Sequence, residues 1–186
     1  TGDENDNKIV GGFKSDTISG LGGDDILIGR SGNDTIYGGN GDDLLIGGSG
    51  RDKLYGGAGI DTISYADSCG AVTINLATGL ARGGDAEGDQ FTSIENVIGS
   101  NYNDTLTGDA GANIIFGLKG ADLIDGGAGA DEGPRDGGAP GARLVNSCRP
   151  GGSRGRPARR PRAPTPSAGS STRSRPRWPR WSPAGW

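Results

Sequence analysis

The chain contains 186 residues, of which 31% are hydrophobic, 39 are glycine and none is histidine, and its net charge is −4. So few apolar side chains exclude an ordinary globular core, but they suit a solenoid in which each repeat packs only against its neighbours. Without histidine the chain lacks a zinc-protease helix motif and a Ser-His-Asp triad, so we expect it not to be an enzyme, with any catalysis in an upstream domain.

A nine-residue sequence repeats through residues 2–64, which form the first predicted domain. Glycine opens each copy, aspartate stands at position six, and Ile or Leu stands at position eight, as in GGNGDDLLI; the first copy has Asn7 at position six. The glycines suit a tight turn, and the last three positions form a short strand whose middle side chain points inward. Two repeats then complete one coil, and neighbouring strands on one face are 18 residues apart in sequence and about 4.8 Å apart in space.

The same spacing places the position-six carboxylates of adjacent coils side by side. The predicted pairs are Asp16 with Asp34, Asp25 with Asp43, Asp34 with Asp52, and Asp43 with Asp61. Such pairs repel unless a cation lies between them. Calcium accepts six to eight oxygen ligands in irregular geometry, whereas magnesium prefers a tighter octahedron, and zinc, copper and iron–sulfur sites need the His or Cys that these repeats lack. The alternative is a flexible Gly/Asp-rich linker, which the in-register Ile and Leu residues disfavour.

Residues 65–98 interrupt the repeats and form a spacer of 34 residues, close to two coils of 18. Apolar and polar side chains alternate over residues 71–76, which predicts a half-buried strand. A second inward set comprises Phe91, Ile94, Val97 and Ile98. We therefore interpret the spacer as irregular coils that continue the roll. Asp85, Glu87 and Asp89 either bind a further calcium ion or form a solvated acidic loop, and we favour the loop.

The nine-residue register resumes over residues 99–131, the second repeat block. Asp104 and Asp122 are 18 residues apart and form a good pair, whereas Asn113 opposite Asp131 forms a poor one. Position eight of the last copy is Gly133, so the inward Leu or Ile is missing there. We expect the roll to end at this point.

Residues 132–186 have a different composition, rich in arginine and proline. Residues 1–133 carry 22 acidic and 7 basic side chains, a net charge of −15, whereas residues 134–186 carry 12 Arg and one Asp, a net charge of +11. Proline and like charge oppose a packed core, so we predict a disordered basic tail. Three origins are open: a nucleic-acid-binding arm, an unselected linker, or translation out of frame after Asp131. We favour the last, and expect no nucleic-acid partner.

The repeats resemble the RTX, or haemolysin-type calcium-binding, family over residues 2–131, apart from the spacer. This resemblance implies an all-β, right-handed parallel β-roll solenoid with several Ca²⁺ ions between successive turns. The carboxylate ligands that it implies are Asp16, Asp25, Asp34, Asp43, Asp52, Asp61, Asp104 and Asp122. The turn glycines implied as carbonyl ligands are Gly29, Gly32, Gly38, Gly39, Gly41, Gly47, Gly48, Gly50, Gly56, Gly57 and Gly59. The pattern is broken at Lys14 and Tyr102, which replace the fourth residue of their turns, and at Leu21, which replaces the second.

The family resemblance also implies a function. It implies calcium binding, with calcium-driven folding of a bacterial protein that type I machinery exports to the extracellular space. The export signal of such proteins lies at the extreme C-terminus, and the Arg/Pro-rich tail does not resemble one. Two alternatives are an accessory module of a secreted protease, lipase or polysaccharide epimerase, and a stiff spacer of an adhesin or surface protein. No apolar run approaches the ~20 residues of a membrane span.

One face of the predicted roll is apolar. Positions seven and nine point outward, and two copies on the same face place Ile26, Ile28, Leu44 and Ile46 there, with Val10 one strand further along. Contiguous exposed aliphatic side chains suggest a contact site, so we expect an upstream domain or a second roll to dock there. The alternative is that β-branched residues merely favour the strand conformation.

Overall fold

The computed structural model describes residues 1–132 and the strand Leu144–Ser147. Short strands dominate this part of the chain, and its one helical element is a 3₁₀ turn at Gly84–Ala86. The strands are β1 (Lys8–Val10), β2 (Thr17–Gly22), β3 (Ile26–Ser31), β4 (Thr35–Asn40), β5 (Leu44–Ser49), β6 (Lys53–Ala58), β7 (Thr62–Ser64), β8 (Thr73–Asn75), β9 (Leu80–Arg82), β10 (Gln90–Thr92), β11 (Asn96–Ile98), β12 (Thr105–Thr107), β13 (Ile115–Phe116), β14 (Ala121–Asp125) and β15 (Leu144–Ser147). Among the described residues, no helix has the length and apolar character that crossing a membrane requires.

The strands form three sheets, here called A, B and C. Sheet A has the order β1-β3-β5-β7-β11-β13, sheet B the order β10-β6-β4-β2, and sheet C the order β15-β14-β12-β8-β9. Sheets A and B are parallel throughout, and their register places Leu27 beside Leu45, and Ile36 beside Leu54, each pair 18 residues apart. The predicted all-β fold, a parallel β-solenoid of nonapeptide repeats, is therefore confirmed.

The core of the solenoid is a column of inward side chains, one from position eight of each repeat. These side chains are buried at Ile18, Leu27, Ile36, Leu45, Leu54, Ile63, Leu106, Ile115 and Ile124. The spacer extends this column with a wider apolar cluster that includes Tyr65, Val72, Ile74, Phe91, Ile94 and Val97. Each repeat thus contributes one large apolar side chain, and the spacer contributes more per residue.

The spacer differs from the two irregular coils predicted for it. Its last part forms one coil, because β10 pairs with β6 in sheet B and β11 pairs with β7 in sheet A. Its first part leaves the roll as an antiparallel hairpin of β8 and β9, and β8 pairs with β12. The hairpin reverses where the Asn75 side chain accepts a hydrogen bond from the Thr78 N–H (3.0 Å) and Gly79 adopts φ 67°. Ile98, expected inward, is partly exposed because it occupies the outward last position of β11.

Little of the predicted tail is described. Within residues 132–186 the structure describes Glu132 and β15, and β15 pairs antiparallel with β14 at the edge of sheet C. The predicted disorder of the other tail residues lies outside the described part of the chain.

Candidate metal centre

The position-six aspartates form two columns, one along each edge of the roll. The A column precedes the strands of sheet A and begins with Asn7, Asp25, Asp43 and Asp61; the B column precedes those of sheet B and begins with Asp16, Asp34 and Asp52. One carboxylate oxygen, Oδ1, accepts a hydrogen bond from the backbone N–H of the column member 18 residues earlier. Asp43 accepts from Asp25 and Asp52 from Asp34, both at 2.8 Å. This bond fastens each coil to the preceding one.

The second oxygen, Oδ2, is buried and has no hydrogen-bond partner in six of these aspartates. They are Asp25, Asp34, Asp43, Asp52, Asp61 and Asp122. A buried, unpaired carboxylate oxygen is costly unless a cation or a donor satisfies it. All six are among the eight aspartates that the resemblance implies as ligands. Six of those eight therefore have a carboxylate oxygen available for a metal ion.

Burial and mutual repulsion also raise the pKa of aspartates in the two columns. The pKa of Asp52 and of Asp61 is raised to about 6, chiefly by burial and also by charge repulsion from the preceding column member, Asp34 or Asp43. Burial likewise raises the pKa of Asp34, Asp43 and Asp122. In each case the hydrogen bond from the backbone N–H opposes the rise. A cation next to these oxygens would remove the repulsion.

The glycine at position one lets a carbonyl oxygen approach the unpaired carboxylate oxygen of Asp25, Asp34, Asp43 and Asp61. A Cβ atom on Gly29 would fall on Oδ2 of Asp34 and lie 2.6 Å from the carbonyl oxygen of Gly47 in the next coil. A Cβ on Gly38 would similarly meet Oδ2 of Asp43 and the Gly56 carbonyl oxygen. Only glycine therefore fits at position one, and it lets oxygens from two coils converge.

The residue at position four distinguishes the turns that have an unpaired oxygen. Position four is a glycine with positive φ in six turns: Gly23, Gly32, Gly41, Gly50, Gly59 and Gly120. These turns end at the six aspartates whose Oδ2 is unpaired. Position two is also left-handed at Gly39, Gly48 and Gly57, and Leu21 and Arg30 adopt it at φ 85° and 82° despite their side chains. Leu21 thus adopts the conformation of the regular turns, although it replaces the glycine at position two.

Two of the eight predicted ligands, Asp16 and Asp104, are satisfied by the protein instead. Oδ2 of Asp16 accepts the N–H of Gly12, and Oδ2 of Asp104 accepts the N–H of Ser100, both at 2.6 Å. Oδ1 of Asp104 also accepts the Ser100 hydroxyl (2.7 Å). Position four of these turns is Lys14 or Tyr102, neither with positive φ. A backbone N–H of the turn therefore donates to the aspartate of the same turn. The departures at position four, Lys14 and Tyr102, mark turns with no unpaired oxygen.

Two further turns replace the aspartate by asparagine and close without a cation. Asn7 and Asp3 exchange hydrogen bonds, from the Asp3 N–H to Asn7 Oδ1 (2.8 Å) and from Asn7 Nδ2 to Asp3 Oδ1 (3.1 Å). Asn113 and Asp109 do the same at 2.8 and 3.1 Å. The signal was present in the sequence as a coupled change, GDENDN and GDAGAN, with Asp at position two whenever Asn stands at position six.

An outer ladder at position five was not expected from the sequence. The Asp24 side chain accepts the Asp42 N–H, and the Asp42 side chain accepts the Ile60 N–H, both at 2.8 Å. These bonds connect the same coils as the A and B columns. Here the residue earlier in the chain supplies the accepting side chain, whereas in the columns the later residue does. The exposed acids at this position therefore have a structural role.

The spacer supplies one acid to each column. Asp89 Oδ1 accepts the N–H of Asp52 (2.7 Å), and Glu95 Oε2 accepts the N–H of Asp61 (2.8 Å). Asp89 is buried, so the favoured solvated loop is wrong at this residue. Its Oδ2 accepts the Tyr65 hydroxyl (3.0 Å), and burial raises its pKa to about 7.

The acids of the predicted acidic loop do not converge on an ion. Glu87 is exposed, and its Oε2 accepts the N–H of Gly83 (2.8 Å), whereas Asp85 is only partly exposed. Nowhere in the described residues do three or more His, Cys, Asp or Glu side chains form a metal-binding group. Main-chain carbonyl oxygens, such as that of Gly47 near Asp34 Oδ2, are ligands that suit calcium and not zinc.

The comparison with known protein families agrees with this geometry. The family model of the RTX calcium-binding nonapeptide repeat, which spans four copies, matches residues 1–36, 28–63 and 98–132. No curated protein matches the chain. The matched ranges contain all six unpaired aspartate oxygens, and Tyr65, Asp89 and Glu95 lie outside them.

Proposed function

Because the chain belongs to the family of RTX calcium-binding nonapeptide repeats, we propose that the Ca²⁺ its repeats bind drives the folding of the roll in an extracellular setting. The six buried carboxylate oxygens without a partner carry this proposal. Bound Ca²⁺ supplies the positive charge that these oxygens lack. The aspartates and turn carbonyls of the repeats hold it, and the chain itself is a non-catalytic module.

Charge and core size explain why folding depends on the ion. Residues 1–133 carry a net charge of −15, and each repeat buries one large apolar side chain. The coils therefore bring like charges together with little apolar burial to offset the repulsion. Since the unfolded chain has no preformed site, the free energy of ion binding becomes free energy of folding.

The setting follows from the affinity that such sites have. Calcium sites of extracellular modules bind with Kd of about 10⁻⁴–10⁻³ M. At these affinities the repeats are empty in a low-calcium cytoplasm and filled in millimolar calcium. We therefore propose that the chain is exported unfolded, by the type I route of its family, and folds outside the bacterial cell.

Circular dichroism of the full chain tests calcium-driven folding. In chelator we expect a spectrum with little β structure, and in millimolar CaCl₂ a clear gain of β signal. Millimolar MgCl₂ is the control and should leave the chelator spectrum nearly unchanged, because magnesium prefers a tight octahedral shell. A complete β spectrum in chelator would contradict the proposal.

The outer face of sheet A supports the proposed docking of another domain or a second roll. Val10 and Ile26 are exposed, and Ile28, Leu44 and Ile46 are partly exposed on adjacent strands. Replacing Ile26 and Leu44 by threonine should reduce self-association or domain docking and leave calcium-induced folding intact. Identical sedimentation of wild type and variant in calcium, alone and with the neighbouring domain attached, would remove the basis for this proposal.

A further inference from the structure

The A column continues past the last regular repeat, at the turn where the spacer returns to sheet A. Asp61 is fully buried, and its Oδ2 has no hydrogen-bond partner. A Cβ atom on Gly56 would fall on this oxygen and also on the carbonyl oxygen of Ser93. The Ser93 carbonyl therefore occupies the place that the Gly56 carbonyl occupies one coil earlier, next to Gly38 and Asp43.

Glu95 provides the carboxylate of this turn. Its Oε2 accepts the N–H of Asp61 at 2.8 Å, as an aspartate Oδ1 does in the regular column. Thr92 pairs with Tyr55 and Asn96 with Thr62, so the turn between β10 and β11 has only three residues, Ser93, Ile94 and Glu95, where the preceding coil has six. Ser93 takes the left-handed conformation (φ 55°) that glycines take in the repeats. The longer glutamate side chain reaches the column where the shortened turn does not bring an aspartate.

We propose that the carboxylates of Asp61 and Glu95 and the carbonyl oxygen of Ser93 form a Ca²⁺ site that lies outside the nonapeptide pattern. The proposal rests on the calcium binding of the repeats and extends it into the spacer. The site uses the same two kinds of oxygen as the regular turns, an unpaired buried aspartate Oδ2 and a carbonyl from the next coil. Neither Ser93 nor Glu95 belongs to the residues that the repeat family matches.

On the other edge of the roll, Asp52 Oδ2 is also unpaired, but the spacer carboxylate beside it is already paired, so we call this the closed position. There Asp89 accepts the N–H of Asp52, but its second oxygen accepts the Tyr65 hydroxyl at 3.0 Å. The three atoms nearest to a Cβ on Gly47 all belong to Asp52, the farthest at 3.0 Å, so no spacer carbonyl oxygen meets this Cβ as the Ser93 oxygen meets a Cβ on Gly56. On Asp89 a hydroxyl donor thus satisfies the second carboxylate oxygen. Asp89 therefore serves as the matched control for Glu95 on the opposite edge.

Calcium stoichiometry of the full chain tests this site, measured by isothermal titration calorimetry together with equilibrium dialysis. Glu95→Gln removes the charge but keeps an oxygen for the Asp61 N–H, and Asp89→Asn does the same at the closed position. We expect Glu95→Gln to bind one ion fewer than wild type, and Asp89→Asn to bind as many ions as wild type. Circular dichroism in calcium confirms that each variant folds.

The possible outcomes separate this site from the general calcium binding of the chain. A wild-type number of ions in Glu95→Gln overturns the site, and so does an equal loss in both variants. If the wild type binds no calcium, the proposed function itself fails. Should Glu95→Gln not fold in calcium, Glu95→Asp keeps the charge on a side chain one methylene shorter. We then expect weaker binding of one ion, and a titration identical to wild type overturns the site.

Discussion

The regular turns of the first repeat block and the turns around the spacer contribute carboxylates to the same columns. They differ in whether the second carboxylate oxygen has a hydrogen-bond donor. In both regions a carboxylate oxygen accepts the backbone N–H of the preceding coil, as Asp43 and Asp104 show. In the repeats the second oxygen has no partner, as at Asp43. Around the spacer it accepts a protein donor, either the Ser100 N–H at Asp104 or the Tyr65 hydroxyl at Asp89.

From this difference we propose that metal dependence is decided turn by turn. A left-handed glycine at position four keeps the backbone of the turn away from its aspartate, so that one carboxylate oxygen stays free for a cation. With Lys14 or Tyr102 at position four, the turn instead donates an N–H to that oxygen. Under the proposed function, one solenoid therefore contains coils that need calcium and coils that do not.

The largest effect is expected when asparagine replaces an aspartate with an unpaired Oδ2, Asp43, or one whose Oδ2 accepts a protein N–H, Asp104. Asp43→Asn removes a free carboxylate oxygen, so it should bind one ion fewer and need more calcium to fold. Asp104→Asn points an amide N–H at the Ser100 N–H, so it should lower the free energy of unfolding by about 1–3 kcal/mol at limiting and at saturating calcium alike. Calcium titration followed by circular dichroism, with urea unfolding, measures both.

An ion count other than the expected one in either variant would contradict the prediction. If Asp104→Asn also loses an ion, or Asp43→Asn binds as many as wild type, the unpaired oxygens do not mark the metal sites. Asp16→Asn is a second member of the self-satisfied class, because Asp16 accepts the Gly12 N–H. It should resemble Asp104→Asn in its ion count.

A smaller effect is expected when the donor on Asp89 is removed. Tyr65→Phe leaves Asp89 Oδ2 buried without a partner, which should cost on the order of 1–3 kcal/mol at a calcium concentration just sufficient to fold the wild type. The oxygen then resembles those of the repeats, so a higher calcium concentration should offset part of the loss. Urea unfolding at the two calcium concentrations measures the difference, and Tyr55→Phe, an exposed tyrosine of sheet B, should change stability by less than about 0.5 kcal/mol. A Tyr65→Phe protein as stable as wild type at the lower calcium concentration contradicts the role given to this hydroxyl.

The smallest effect concerns protons in place of calcium. The pKa of Asp52 and Asp61 in the folded, metal-free chain is about 6, above the ordinary value of 3.8, so folding takes up protons between these values. In chelator, stability should therefore rise as the pH falls from 7 through 6 towards 4, and be lost again as the pH rises. In saturating calcium the trend should reverse, because protons then compete with the ion. Circular dichroism at graded pH measures both, and no gain of β structure in chelator on acidification would argue against protonation of these buried carboxylates.

The sequence by itself determined the period, the parallel pairing and the inward column, because these depend on local and regular features. A nine-residue repeat with one Ile or Leu at position eight forces an 18-residue register, seen in Leu27 beside Leu45. It also pointed to eight position-six aspartates, of which Asp25, Asp34, Asp43, Asp52, Asp61 and Asp122 have an unpaired Oδ2. Even Lys14 and Tyr102 were visible as departures, although their consequence for Asp16 and Asp104 was not.

Only the tertiary structure decided which partners the spacer brings to the columns. Asp89 reaches Asp52 across 37 residues, and Glu95 reaches Asp61 across 34, so neither follows the period of 18. Tyr65 reaches Asp89 across 24 residues, and only because a hairpin leaves the roll between them. A repeat pattern predicts contacts at its own spacing, whereas these contacts arise from where a non-repeating segment packs against the roll.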